Sequence, residues 1–323
     1  MSIIIGNIEL SDPVILAPMS GITDRPFRQL VTRLGAGMVV SEMLASREAV
    51  RGSKKTARRA RRIEGGGPHT VQIAGCMPED MSATAEYLEG EGADIIDINM
   101  GCPAKKVVNG MGGSALMREE DKAARIIEAT VNAVKIPVTL KMRTGWDADN
   151  RNAPRLAKLA EDIGVRLITV HGRTREQRFN GKADWDFISK VKDNISIPVV
   201  ANGDVCEPED AKEILERSGA DGVMIGRGCY GRPWLLRSII AHLKDEAVEP
   251  LTLEERRDLA LEHYDGLLSF YGVDVGHRVA RKHVGWYLDR LGTDREDIRN
   301  LQRTEDIDKV RQGIVAAFDE AAA

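Results

Sequence analysis

Short apolar runs alternate with amphipathic segments over most of this chain, from about residue 12 to about residue 243. Eight of the runs have strand length and are rich in Ile and Val, which is typical of strands buried on both faces. The eight runs are VILAPM (14–19), MVVSEM (38–43), TVQIAG (70–75), DIIDINM (94–100), PVTLKMR (137–143), RLITVHGR (166–173), PVVANGD (198–204) and DGVMIGRG (221–228).

The segments between these runs have helical periodicity and recognisable helix ends. Helices are predicted over 78–92, 118–134, 153–164 and 208–219; two of them begin with Pro followed by acidic residues, and three end on Gly. Eight strand–helix pairs predict a (β/α)8 TIM barrel. An open doubly wound sheet is the alternative, and the regularity of the repeats favours closure. The segment MSIIIGNIEL (1–10) predicts a hairpin that covers the bottom of the barrel.

The pattern changes after KDEAVEPLT (244–252), because no run of strand length follows it. The rest of the chain has only helical periodicity, which predicts a C-terminal all-helical domain. We therefore expect a catalytic barrel over 1–243 and a helical domain over 244–323.

The composition indicates the class of protein but points to no particular activity. The chain of 323 residues is 30% charged and 42% hydrophobic, which is ordinary for a globular protein. Its net charge of −4 gives no general sign of nucleic-acid binding, so local patches must supply one. No apolar stretch is long enough to cross a membrane, no signal peptide is recognisable, and none of the four cysteines forms a CxxC pair. We expect a cytoplasmic protein without a metal site; the sequence slightly favours a monomer without fixing the oligomeric state.

Polar side chains follow most of the predicted strands at the point where each strand ends. The active site of a TIM barrel is built at these carboxyl ends. Lys141 is the most informative residue, because burying an ammonium group near a barrel interior without a partner is costly. The strand-end residues are Ala17, Pro18, Met19, Glu42, Gln72, Asn99, Met100, Gly101, Cys102, Lys141, Arg143, His171, Arg173, Asn202, Gly203, Asp204, Gly226 and Arg227.

A glycine-rich segment after the last strand indicates a phosphate site. GRGCYG (226–231) matches the dinucleotide-binding pattern, but only helix follows it, whereas that fold requires a further strand with an acidic residue. Together with ANGDV (201–205), the same glycines suit a phosphate site after strands 7 and 8 of a barrel. A cation such as Lys141 beside N1 and C2=O of a flavin would stabilise the reduced, anionic ring. Flavin mononucleotide, which has a single phosphate, would fit such a site. Pyridoxal phosphate, with Lys141 as the Schiff base, remains open at this point.

The motifs together resemble the tRNA-dihydrouridine synthases. The segments that carry the resemblance are LAPMSGITDRPFR (16–28), QIAGCMPEDM (72–81), DINMGCPAKKVVNGMGGSALM (97–117), LKMRTGW (140–146), VHGRTREQRFNGKADWD (170–186), ANGDV (201–205) and MIGRGCYGRPW (224–234). GHRVARKHVGWYL (276–288) is similar to the B-type subgroup, once labelled nitrogen-regulation proteins. The resemblance extends from about residue 3 to about residue 290.

The resemblance implies FMN as prosthetic group, NADPH as reductant and reduction of the C5–C6 double bond of uridine in tRNA. Cys102 would be the catalytic acid: hydride passes from flavin N5 to C6, and the thiol, mostly protonated at neutral pH, gives a proton to C5. Asn99 would orient the uracil. The residues implied to hold FMN are Ala17, Pro18, Met19, Gln72, Lys141, His171, Asn202, Gly203, Asp204, Gly226 and Arg227.

Binding of tRNA would require cations near the barrel mouth, because flipping the target base costs a few kcal/mol. Lys105, Arg143 and Arg173 lie near the predicted mouth, and Arg281 and Lys282 lie in one helical run of the second domain. The basic run KKTARRARR (54–62) is ambiguous, because such runs are often only solvated surface.

Two other functions remain open from the residues. An FMN barrel could act on a free pyrimidine, as dihydroorotate dehydrogenases do, in which case free uracil or orotate would be a substrate. A barrel that has lost catalysis could serve as an RNA-binding regulator, in which case the purified protein would be colourless and would not take up FMN. The basic loops favour the tRNA reductase over the first alternative, and the complete set of polar strand ends favours it over the second.

Overall fold

The strands lie where the apolar runs predict them. A computed structural model describes residues 2–50, 58–65, 67–110 and 112–322. The strands are β1 (Ile3–Ile5), β2 (Ile8–Leu10), β3 (Val14–Leu16), β4 (Met38–Val39), β5 (Leu44–Ala45), β6 (Thr70–Ala74), β7 (Ile95–Met100), β8 (Val138–Arg143), β9 (Ile168–His171), β10 (Val199–Asn202) and β11 (Gly222–Ile225).

Strands β3 to β11 form one parallel sheet that closes into a barrel. The neighbour order is β4-β3-β11-β10-β9-β8-β7-β6-β5, and a parallel bridge between Val40, which follows β4, and Thr70 of β6 closes the barrel. Of the predicted second strand, 38–43, only Met38–Val39 forms a strand, β4; β5 begins just after the predicted run, and the two strands share one position of the barrel. Polar contacts explain the interruption: the Glu42 carboxylate accepts the backbone N–H of Gly21, and the Ser41 hydroxyl accepts that of Gln72.

The helices follow the predicted periodicity. They are α1 (Arg25–Arg33), α2 (Ser46–Val50), α3 (Pro78–Gly90), α4 (Lys105–Asn109), α5 (Glu120–Ala133), α6 (Ala153–Ile163), α7 (Trp185–Lys192), α8 (Pro208–Ser218), α9 (Leu235–Leu243), α10 (Leu253–Tyr271), α11 (Val273–Asp289), α12 (Arg295–Arg303) and α13 (Ile307–Ala322). The predicted helix over 118–134 is preceded by a separate 3-10 turn, Gly113–Arg118. Within the described ranges, no helix is both long and apolar enough to cross a membrane.

The N-terminal hairpin closes the bottom of the barrel, as predicted. Strands β1 and β2 pair antiparallel, and Ile3 and Leu10 pack with Ile15, Val200 and Met224 of the barrel strands. This end of the barrel is filled by apolar side chains, so the polar strand ends face the opposite opening.

Within the described residues, helices are the only regular secondary structure after α9, and they have a core of their own. Tyr264, Leu267, Leu288, Ile314 and Phe318 are buried there, separately from the core that lies between the barrel and its helices. A capping box formed by Thr252 and Glu255 begins α10. The helices after α9 thus form a bundle with a core distinct from that of the barrel.

Candidate active site

A cavity of about 720 Å³ opens at the carboxyl ends of the strands, and we call it the barrel-mouth pocket. Every residue predicted to hold FMN lines it, together with Cys102, Asn99 and Arg143. The predicted residues in its lining are Ala17, Pro18, Met19, Gln72, Asn99, Cys102, Lys141, Arg143, His171, Asn202, Gly203, Asp204, Gly226 and Arg227.

The parallel register places these side chains at matching levels. Asn99 pairs with Lys141, and His171 pairs with Arg143 on one side and with Asn202 on the other. Because every strand in the barrel runs the same way, residues distant in the sequence meet at one opening.

Lys141 points across the barrel from β8 toward β10. Its Nζ donates a hydrogen bond to Asn202 Oδ1 at 3.0 Å, and the Asn202 amide nitrogen donates to the Met224 carbonyl at 2.7 Å. Burial, reinforced by the positive charge of Arg143, lowers the pKa of Lys141 to about 8, although Asp97 and Cys102 act in the opposite direction. Lys141 is therefore a cation that can lose its proton near physiological pH.

His171 is a neutral imidazole in this setting. Burial, followed by the positive charges of Arg143, Lys141, Arg173 and Arg227, holds the pKa of His171 well below its usual range. At neutral pH the ring therefore presents one donor nitrogen and one acceptor nitrogen to its surroundings.

Cys102 lies on the loop after β7, half-buried at the edge of the pocket. Its backbone N–H donates to Asn99 Oδ1 at 3.0 Å, and its carbonyl accepts from the Ser114 hydroxyl at 2.9 Å. Gly113 has a φ of +56°, and a Cβ atom there would approach the Cys102 carbonyl and Val107. Gly113 therefore allows this loop to pack against the backbone of the cysteine.

Asp204 and two arginines form the corner of the pocket beside the glycine-rich segment. The Arg173 guanidinium is buried and donates to both Asp204 oxygens at 2.7 Å, while Arg227 lies 3.4 Å from one of them. Gly203 has a φ of +123°, and a Cβ atom there would collide with Ala183 and His171. Backbone packing at this corner is thus too close for a larger residue.

The remaining predicted cations lie outside the pocket lining. Lys105 is exposed at the start of α4, close in sequence to Cys102, and Arg173 lies behind Asp204. Arg281 and Lys282 lie on α11, and burial lowers the pKa of Lys282. A Cβ atom on Gly21 would lie 3.5 Å from Lys282 Nζ, so this cation adjoins the loop that continues from Met19.

The basic run 54–62 is only partly described, because residues 54–57 lie outside the described ranges. Arg58 stacks on the Tyr271 ring at 4.6 Å, Arg59 pairs with Glu42 at 3.3 Å, and Arg62 pairs with Asp94 at 2.9 Å. These three arginines thus contact the protein itself.

Sequence reasoning missed several residues of the site. Phe179, Tyr230 and Cys206 line the pocket, and the Phe179 ring is 53% exposed and stacks on Arg227 at 4.9 Å. Asp97, buried beneath the lining, lies within the predicted strand 94–100 and is not among the predicted site residues. Its spacing of two residues from Asn99 places both on one strand face, and this signal could have identified it.

Comparison with known proteins identifies the family. The model of the dihydrouridine synthase (Dus) family matches residues 15–322. A probable tRNA-dihydrouridine synthase of Rickettsia conorii is 54% identical over 290 residues, which cover 89% of this chain and 87% of the relative. The tRNA-dihydrouridine synthase B of Proteus vulgaris is 47% identical over 316 residues, 98% of each chain.

A solved structure, the old yellow enzyme homologue from Zymomonas mobilis, has a similar fold, with a TM-score of 0.53 at 15% identity over 79% of this chain and 95% of that one. The family match and the relatives confirm the resemblance carried by the motifs. The chain belongs to the dihydrouridine synthase family of oxidoreductases, and B-type enzymes are among its relatives.

Proposed function

We propose that this protein is an FMN-dependent enzyme that reduces the C5–C6 double bond of uridines in tRNA, with NADPH as reductant, in the cytoplasm. The observation that carries the proposal is one pocket, in a chain of this family, that is lined by the Cys102 thiol, by Lys141 and by a glycine-rich corner with Arg227. We also propose that residues 1–243 form the catalytic domain and 244–323 the tRNA-binding domain.

The barrel-mouth pocket fits FMN in size and in chemistry. Its volume of about 720 Å³ lies within the ordinary range for small-molecule sites. The closely packed glycine at position 203 and the exposed guanidinium of Arg227 would suit a phosphate. Family membership favours FMN over pyridoxal phosphate. When bound, FMN supplies a hydride from N5 to uracil C6.

Different residues of the pocket would hold different parts of FMN. Lys141 would face the N1–C2 side of the ring and Gln72 its polar edge, with His171 beside it. Asn202, Gly203, Asp204, Gly226 and Arg227 would hold ribityl and phosphate, and Ala17, Pro18 and Met19 would contact the flat ring. Arg227 would exchange its contact with Asp204 for the phosphate.

Cys102 would hold the proton that completes the reduction. Transfer from its Sγ to C5 breaks the S–H bond, forms the C–H bond and leaves a thiolate that solvent reprotonates. Asn99 fixes the loop through the backbone N–H of Cys102, and its amide also lines the pocket where the uracil would lie. The chain thereby presents the thiol at the edge of the pocket.

The cations outside the lining would supply contacts to tRNA. Lys105 would approach the RNA beside Cys102, and Arg281 and Lys282 would do so from the helical domain. Arg143 and Arg173 are already engaged, the former with the Gly101 carbonyl and the latter with Asp204. Their contact with RNA stays a prediction, and the contacts within the protein suggest that they shape the mouth.

Replacement of Cys102 tests the chemistry. We expect Cys102→Ala to bind FMN and to be bleached by NADPH, but to lose about 10²–10⁴-fold in reoxidation by tRNA, because a general acid contributes about that much. Stopped-flow absorbance separates the two half-reactions. Cys206→Ala removes another thiol of the same pocket and is the matched control, which should reoxidise normally.

The alternatives predict different results. Full tRNA-dependent reoxidation by Cys102→Ala would remove the thiol from the mechanism. Faster reoxidation by free uracil or orotate than by tRNA would favour a small-molecule reductase, and colourless protein that takes up no FMN would favour an RNA-binding regulator. Mapping dihydrouridine in tRNA from a strain lacking the gene, with and without complementation, would establish which positions are reduced.

A further inference from the structure

Three polar side chains on two adjacent strands form a continuous chain of hydrogen bonds beneath the barrel-mouth pocket. Gln72 on β6 donates its amide nitrogen to Asp97 Oδ2 on β7 at 2.7 Å. Asn99, two residues further along β7, donates its amide nitrogen to Gln72 Oε1 at 2.8 Å. Asn99 Oδ1 in turn accepts the backbone N–H groups of Gly101 at 3.2 Å and Cys102 at 3.0 Å. The chain of bonds thus connects a buried carboxylate to the loop of the thiol.

The two ends of this chain determine the direction of every bond in it. An ionised carboxylate only accepts, so Gln72 must turn its nitrogen to Asp97 and its oxygen to Asn99. Backbone N–H groups only donate, so Asn99 must turn its oxygen to the cysteine loop. Rotation of either amide by 180° would set two donors or two acceptors against each other.

The other oxygen of Asp97 has its own partner. Asp97 Oδ1 accepts the Thr139 hydroxyl at 2.6 Å, so both carboxylate oxygens are occupied. The pKa of Asp97 is raised, because burial outweighs the bonds from Thr139 and Gln72 and the charge of Lys141, which act in the opposite direction. Gln72, Asp97 and Asn99 are 1%, 3% and 8% exposed, so water does not easily replace a lost bond.

The side-chain amides of Gln72 and Asn99 each keep one N–H donor that is not used within the chain of bonds. Each amide has two N–H donors, and each uses one within the chain of bonds. Asn99 Oδ1 already accepts two bonds, which leaves it no free lone pair. Gln72 and Asn99 both line the pocket, and each therefore retains an N–H donor suited to a carbonyl oxygen of a bound ring.

We propose that Asp97 is a positioning residue, which sets the orientation of Gln72 and Asn99 and, through them, the placement of Cys102. The role of Asp97 in catalysis rests on the proposed function. Its control over the orientation of Gln72 and Asn99 is a property of the folded chain and does not depend on that function. Loss of the acceptor at position 97 would free the Gln72 amide to rotate, and the amide of Asn99 and the cysteine loop would lose their fixed orientation.

Two substitutions at position 97 separate acceptor geometry from simple packing. Asp97→Leu removes the acceptor, whereas Asp97→Asn can keep an oxygen toward Gln72 and turn its nitrogen to the Thr139 oxygen, which can accept. Thr139→Val is the matched control, because it removes the other partner of Asp97 and leaves the bond to Gln72 in place. Gln72→Met breaks the chain in the middle and provides a second route if Asp97→Leu does not fold.

The measurement is amide hydrogen exchange at Gly101 and Cys102 in the FMN-loaded protein, together with the rate of iodoacetamide labelling of Cys102 followed by peptide mass spectrometry. In Asp97→Leu and Gln72→Met we expect both rates to rise about tenfold, since a lost buried hydrogen bond costs about that factor. Exchange in β9 should stay unchanged. Asp97→Asn and Thr139→Val should resemble the wild type in both rates.

Reoxidation by tRNA should fall about tenfold or more in Asp97→Leu, with bleaching by NADPH retained. Wild-type exchange and labelling rates in folded Asp97→Leu or Gln72→Met would overturn the proposal, as would an equal rise in Asp97→Asn. If the wild type is not reoxidised by tRNA, the proposed function fails, while the exchange rates still decide the role of Asp97.

Discussion

At the scale of a single residue, burial of the Lys141 ammonium group lowers the stability of the folded chain. A lysine in water holds its proton up to about pH 10.4, but in the folded chain burial brings the pKa of Lys141 to about 8. Keeping a charged lysine in the pocket therefore reduces the free energy of unfolding. A bound anionic group would recover that energy, which is the physical reason for interpreting Lys141 as a binding residue.

The lowered pKa of Lys141 makes the stability of the flavin-free chain depend on pH. Between about pH 8 and pH 10.4 the unfolded chain holds more protons at Lys141 than the folded chain, so stability rises with pH over that range. We expect Lys141→Met to raise the free energy of unfolding of the flavin-free chain by up to about 3 kcal/mol at pH 7, and to gain little at pH 10. Urea unfolding at both pH values would measure the difference.

Lys212 provides the control for that comparison, because it is exposed on α8, on the outside of the barrel. Lys212→Met should change stability by less than about 0.5 kcal/mol at either pH. A gain in Lys141→Met that is equal at pH 7 and pH 10 would mean that packing, and not charge burial, causes it.

At the scale of elements, strand ends were predictable because buried parallel strands are continuous apolar runs, and a polar residue marks where each run leaves the core. This rule located Gln72, Lys141, His171 and Asn202. It could not predict that the second strand is divided, because that depends on Glu42 meeting Gly21, a contact between distant segments.

The same limit applies to residues that act through partners or loops. The role of Asp97 follows from its bonds to Gln72 and Thr139 on the two flanking strands, and register between strands is not visible in one sequence. Phe179 lies on a loop whose course over the mouth is set by tertiary contacts, so periodicity contains no signal for it.

The glycine-rich segment after β11 has two neighbours, the pocket and the helical domain. Arg227 lines the pocket, and Tyr230 stacks on Trp286 of α11 with ring centroids 3.9 Å apart. Gly231 has a φ of +67°, and a Cβ atom there would collide with the Trp286 carbonyl. This segment therefore connects the predicted phosphate corner to the helical domain.

Replacement of Gly231 by Ala tests that close approach. We expect Gly231→Ala to lose about 2–4 kcal/mol of stability, from a strained φ and from the collision with α11. Gly219→Ala is the matched control: its φ is +62°, but the nearest atom to its Cβ would be 3.9 Å away, so only the conformational cost of about 1 kcal/mol should remain. Equal losses in thermal or urea unfolding would mean that contact with α11 costs nothing.

For the whole molecule, the question is how a protein with net charge −4 binds a polyanion. Cations must be concentrated where the RNA lies, since the overall charge repels it. Contacts between the helical domain and the barrel mouth include Tyr230 with Trp286, Tyr271 with Asp24, and Lys282 beside Gly21. A tRNA whose flipped base enters the pocket would pass over this junction.

Lys282 is therefore the cation whose reversal should matter most in the helical domain. We expect tRNA affinity to fall steeply with salt, and Lys282→Glu to weaken binding and to reduce the slope of log affinity against log salt by about one. Lys212→Glu makes the same change of net charge at an exposed position of α8, and it should leave that slope unaltered. Filter binding at several salt concentrations distinguishes the cases. Equal weakening of tRNA binding in both variants would assign the effect to overall charge. A slope near zero in the wild type would exclude electrostatic docking of tRNA at this junction.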